Sequence, residues 1–130
     1  MRANVEDDVK YVCLGYLEEA AWDALPERER EAVVVDCAAY TDALEDRGLL
    51  IGAETLKSVQ NATTLRWSKG RISITDGPFE ETREQLGGVL VFEARDLNHA
   101  IQLMSRHPGL RIGGCFELRP VEENRPCGWF

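Results

Sequence analysis

Two residues in this chain have the side chains and surroundings to move protons. Asp36 lies in a stretch whose helical neighbours, Ala32, Val33, Ala39 and Tyr40, are all apolar. A carboxylate on such a face is costly to bury unless it is paired. Burial raises its pKa, which suits a general acid or base. In the alternative reading Asp36 sits at the edge of the apolar stripe and reaches water, capped by an arginine. His107 follows a second helical pattern, and the C-terminal end of a helix favours the protonated ring. It could pair with Asp36 or with Glu117, or it could simply close the helix at the surface. Paired, Asp36 and His107 would form a catalytic couple that works without a cofactor, in isomerase- or lyase-type proton transfer.

Three further residues could shape a pocket and hold a ligand. Asp76, in Asp76-Gly77-Pro78-Phe79, either forms a turn with local backbone N–H groups or lines a pocket beside Phe79. The loop is stiff because Pro78 restricts Gly77. Arg119 could bind a small anionic molecule or pair with Glu117 on its own strand. Glu81 and Glu84 read as solvated carboxylates, and His99 as an exposed residue without a role. Cys13, Cys37 and Cys115 lie among apolar residues and read as small hydrophobes, while Cys127 belongs to the tail. No cysteine pair or Cys/His cluster has metal-ligand spacing, so no metal site is expected. Phosphate-binding glycine loops, HExxH and GxSxG are all absent.

Composition narrows the classes that remain. The chain has 130 residues, the size of one domain, with 44% hydrophobic and 29% charged residues. Its formal charge of −8, without a basic run, argues against binding a nucleic-acid backbone. No long apolar segment suggests a membrane span, and the polar start does not read as a signal peptide. A cytoplasmic protein with reduced thiols is expected.

Elements to position these residues follow from periodicity. Residues 11–16 read as a first strand. Pro26 opens a helix to about Arg47, with Val33, Cys37, Tyr40 and Leu44 at helical spacing and Gly48 as its stop. Residues 49–56, 62–67 and 71–75 read as strands, the last two joined by Ser68-Lys69-Gly70. Thr82 and Gln85 have capping-box spacing, predicting a short helical turn ended by Gly87-Gly88. Residues 89–94 read as a strand. Asp96 caps a second helix buried through Leu97, Ala100, Ile101 and Met104. Residues 115–119 complete the set. The order predicts an α+β domain: a ferredoxin-like split βαβ core with an inserted hairpin and an antiparallel sheet with two helices on one face. Residues 1–9 are assigned to a flexible lead-in, 10–121 to the domain and 122–130 to a C-terminal tail. The uncovered sheet face is expected to meet solvent, a ligand or a second subunit.

One segment carries a resemblance. Asp76-Gly77-Pro78-Phe79, followed by Glu81-Thr82 and Glu84-Gln85-Leu86-Gly87-Gly88, resembles the hallmark of the DGPF-domain proteins of the YCII-related family. The similarity extends through Ala62-Thr63-Thr64-Leu65-Arg66, Glu93-Ala94-Arg95-Asp96-Leu97 and Glu117-Leu118-Arg119-Pro120-Val121. It implies a bacterial protein with a ferredoxin-like subunit that forms a homodimer, a dimeric α+β barrel. It also implies a family of undefined biochemical role, some members being associated with extracytoplasmic-function sigma factors. Related proteins carry a His–Asp dyad with the histidine on the first helix and the aspartate before a proline after the second. Here Asp36 and His107 occupy those places with the residue types exchanged. Two functions follow as expectations: a cofactor-independent acid–base enzyme on a small anionic molecule, or a non-catalytic binding module, for a small molecule or a protein such as a sigma factor.

Overall fold

The structure, a computed structural model, describes residues 8–123. The strands are β1 (Val9–Leu17), β2 (Leu50–Thr55), β3 (Thr63–Ser68), β4 (Arg71–Asp76), β5 (Gln85–Ala94) and β6 (Cys115–Pro120). The helices are α1 (Glu19–Ala24), α2 (Glu27–Asp46) and α3 (Leu97–Met104), and 3₁₀ turns span Val59–Asn61 and Pro108–Ile112. Four strands form an antiparallel sheet in the order β2-β5-β1-β6, and β3 and β4 pair only with each other. This is the expected ferredoxin-like arrangement with its inserted hairpin.

The helix-facing side of the sheet is graded in size. At one end Tyr11 pairs with Phe92, and Phe92 with Leu50. These large side chains pack with Leu44 of α2 and with Ala100, Leu103 and Met104 of α3. The next row is Leu118, Cys13, Leu90 and Ala53, and the last is Phe116, Gly15, Gly88 and Thr55. Bulk therefore falls away along the strands. Only Leu44, near the C-terminal end of α2, is fully buried on that helix. Its N-terminal half stands over small residues that cannot fill the space beneath it.

Most elements fall where the periodicity puts them. Pro26 precedes α2, and the Asp96 carboxylate caps α3 by accepting from the His99 N–H at 2.8 Å. The hairpin turn is shorter than expected: Lys69 and Gly70 alone join β3 to β4, both at positive φ (50° and 79°). Two primed-turn residues match the right-handed twist of the strands.

Four local expectations are corrected. Leu97 and Ile101, expected on the buried stripe of α3, are about half exposed, and the buried face runs instead through His99, Ala100, Leu103 and Met104. The capping box at Thr82 starts no helix. Thr82 Oγ1 donates instead to the Glu84 carbonyl, the Gln85 amide donates to the carbonyls of Glu80 and Thr82, and β5 begins at Gln85. Gly88 pairs with Gly15 of β1 and Thr55 of β2, and sheet pairing wins over a four-residue signal. His99 is buried rather than exposed, and its Nδ1 accepts from the Arg95 N–H at 3.0 Å. Cys115 is exposed, because its position points away from the helices.

Candidate functional site

The space under the N-terminal half of α2 is an open cleft of about 1620 Å³. Val33, Cys37 and Thr41 form its helical wall, and Cys13, Gly15, Gly88 and Phe116 belong to the sheet beneath. The glycine floor is open by composition, not by crowding. A Cβ built on Gly88 would meet nothing closer than the Glu54 carbonyl oxygen at 3.5 Å, an ordinary contact. The 3₁₀ turn after α3 closes one end of the cleft and brings His107 into its wall.

His107 is held on three sides. Its Nδ1 accepts from the Gly109 N–H at 3.0 Å. Its ring makes edge contacts with Tyr40 (centroids 5.3 Å apart) and Phe116 (4.9 Å). With Nδ1 accepting, the neutral ring carries its proton on Nε2. Nε2 has no hydrogen-bond partner among the described residues. Burial pushes the His107 pKa below 6.5, so the ring is neutral at pH 7. This corrects the expected protonated ring. α3 ends at Met104, and His107 instead caps the following turn through its ring nitrogen, at the end that disfavours positive charge.

The neighbours of His107 are themselves fixed. The Tyr40 hydroxyl donates to the Leu103 carbonyl, tying α2 to α3. Burial raises the Tyr40 pKa, against a lowering by Arg106 and Arg47. The Cys37 thiol is also raised, first by burial and then by the charge of Asp36, while the Gly109 N–H lowers it. Space at Gly109 is tight: a Cβ there would lie 3.1 Å from His107 Nδ1 and 3.3 Å from the Phe116 ring.

The residues singled out from sequence are not gathered in this cleft. Asp36 is exposed on α2, off the cleft lining, and among the described residues no hydrogen bond or ion pair joins it to His107. Asp76 is exposed at the end of β4, and Phe79 is 72% exposed in the loop beyond. Gly77 and Pro78, not their neighbours, reach the cleft. The Gly77 N–H donates to the Ala62 carbonyl at 2.7 Å, and Thr64 Oγ1 donates to the Gly77 carbonyl at 2.8 Å. These bonds close the base of the β3–β4 hairpin. Arg119 lies on the opposite face of the sheet, paired with Glu117 at 3.2 Å. Cys37, Tyr40, Gly109 and the glycine floor were not marked by the sequence reading. The available signal was Cys37 and Tyr40 on the same helical stripe as Val33, with glycines at matched strand positions.

Charge around the cleft favours some ligands over others. Six carboxylates (Glu18, Glu19, Asp23, Asp42, Glu54 and Glu81) line it against two cations, Lys57 and Arg83. Glu19 is occupied by Ser58 Oγ and the Val59 N–H, and Arg83 lies 3.7 Å from Glu18. The remaining field repels anions and suits a neutral or cationic ligand.

Comparison with known sequences gives the family. The family described as YCII-related domain matches residues 9–125. An uncharacterized protein, R00369, of Rhizobium meliloti (strain 1021) is 32% identical over 120 residues, covering 89% of this chain and 94% of the relative.

Proposed function

The chain belongs to the YCII-related family, and from that premise we propose that the cleft under α2 binds a small, largely apolar molecule and that His107 acts on it in proton transfer. The observation that carries this reading is the clamped, neutral His107 in the cleft wall, with Nδ1 occupied and Nε2–H without a partner among the described residues. A neutral imidazole N–H can donate to a substrate carbonyl oxygen. It thereby stabilises the negative charge that develops there when a proton leaves the adjacent carbon for water. Isomerase- or lyase-type chemistry on an enolisable carbonyl compound fits that inventory. The acidic rim favours a neutral or cationic substrate over the anionic one the sequence suggested.

A non-catalytic binding module is the second reading. It draws support from the absence of any carboxylate that perturbs His107 among the described residues. In that reading the cleft senses a ligand, and a sigma factor is one partner that the family resemblance offers. No helix among the described residues is long and apolar enough to cross a membrane. A homodimer belongs to both readings. The sheet face away from the helices carries half-buried Val12, Leu14, Val89 and Val91 at its centre, a surface suited to a second subunit.

Deuterium exchange separates the readings. A panel of enolisable carbonyl compounds is incubated with the protein in D₂O and followed by proton NMR. The enzyme reading expects incorporation into at least one compound, reduced about 10²- to 10³-fold in His107→Gln. A compound that binds the cleft without exchanging supports the module instead. Exchange unchanged in His107→Gln removes His107 from the chemistry.

A further inference from the structure

The β3–β4 hairpin stands apart from the four-stranded sheet and has two unlike faces. Leu65 pairs with Ile74 and Trp67 with Ile72, so all four side chains share one face. They are 65%, 69%, 72% and 53% exposed, in that order. From those fractions the face presents on the order of 500 Å² of apolar surface. That is near the upper limit for a monomer's largest patch and over half of the ~800 Å² each partner buries in a stable interface. None of the four lines the cleft. An isolated two-stranded hairpin is also marginal in water.

Charge adds a direction. Residues 63–76 contain Arg66, Lys69, Arg71 and Asp76, a net +2. The chain as a whole is −8, which leaves −10 for the rest. A basic hairpin with an apolar face is thus attached to an acidic body.

We infer that the hairpin is a clasp whose apolar face seats on a second copy of this chain, its cationic end drawn to that copy's acidic body. The clasp deepens the homodimer proposed above and rests on it. A two-fold arrangement uses each hairpin once and covers the patch twice. The open sheet face adds area that the hairpin alone lacks. The short bonds from Gly77 to Ala62 and Thr64 fix the hairpin at its root, so the Asp76-Gly77-Pro78-Phe79 segment acts as the clasp's hinge pin.

Sedimentation equilibrium over a range of concentrations tests the clasp. Wild type is expected to dimerise. Trp67→Ser combined with Ile74→Ser is expected to weaken the dimer at least tenfold. Both side chains are exposed in the single chain, so folding should survive, and circular dichroism checks it. Lys69→Glu with Arg71→Glu is expected to weaken the dimer. A wild-type dimer that neither pair of substitutions weakens overturns the clasp and leaves the sheet-to-sheet dimer standing. A wild type that stays monomeric at 100-micromolar-scale concentration overturns both and assigns the patch to a different protein.

Discussion

At the scale of single residues, His107 organises the site through what surrounds it rather than through a charged partner. Burial keeps it neutral, Gly109 sets its tautomer, and two aromatic rings set its plane. The same burial has a consequence for stability. His107 and His99 both have pKa values lowered in the folded protein, each chiefly by desolvation. Protons therefore bind the unfolded chain first, and their contribution is complete above the unfolded value of 6.5. Thermal melting from pH 8 downward should be level in this contribution until about 6.5, then fall as the pH drops towards the folded values. Replacing His107 with Gln should make that fall shallower, while an unaltered profile would mean that His107 titrates normally. Little of this was legible beforehand. Asp36 drew attention because its helical neighbours are apolar, but in the fold it faces water. The sequence singles out His107 but not its neutral state, because the helix before it ends three residues early and a new turn begins at its own position.

At the scale of elements, the graded sheet face explains why one structure has both a firm core and an open cleft. Phe92 is fully buried between α3 and the end of α2, and truncating it to alanine should cost about 3–5 kcal/mol. Gly88, on the same face of the same strand, should behave oppositely. Its backbone is not left-handed and a Cβ meets no obstruction. Gly88→Val should therefore hold or raise stability, by about 0.5–1 kcal/mol, because glycine weakens a strand interior. Urea denaturation of the two variants checks the contrast. A Gly88→Val protein that loses several kcal/mol would show that the glycine floor serves packing rather than access. Strand and helix positions were readable from alternation and helical spacing, and so was the cap at Asp96. The cleft was not, since it depends on which of two alternating strand faces meets the helices. In β1 that face is Tyr11, Cys13 and Gly15 rather than Val12 and Leu14, and only the pairing with β5 decides it.

At the scale of the whole molecule, two of the apolar surfaces left open among the described residues bear on association. One is the outer sheet face, with Val12, Leu14, Val89 and Val91; the other is the hairpin face, with Leu65, Trp67, Ile72 and Ile74. The alternation of Ile72 and Ile74 was visible in the sequence, but their lack of a partner became evident only once the hairpin separated from the sheet. Dimer formation through both surfaces should bury Trp67. Its fluorescence should then shift to the red on dilution below the dimer Kd, and a spectrum independent of concentration would speak against the clasp.

On the proposed function, the glycine-floored cleft with His107 in its wall is the ligand site. Its most direct test is a fragment screen followed by amide NMR shifts, in wild type and in Gly88→Val. Wild-type binders are expected to perturb Cys37, Gly88, His107 and Gly109 together, and Gly88→Val, still folded, is expected to lose those responses. Binders that map elsewhere, or that bind the filled cleft equally well, would contradict it.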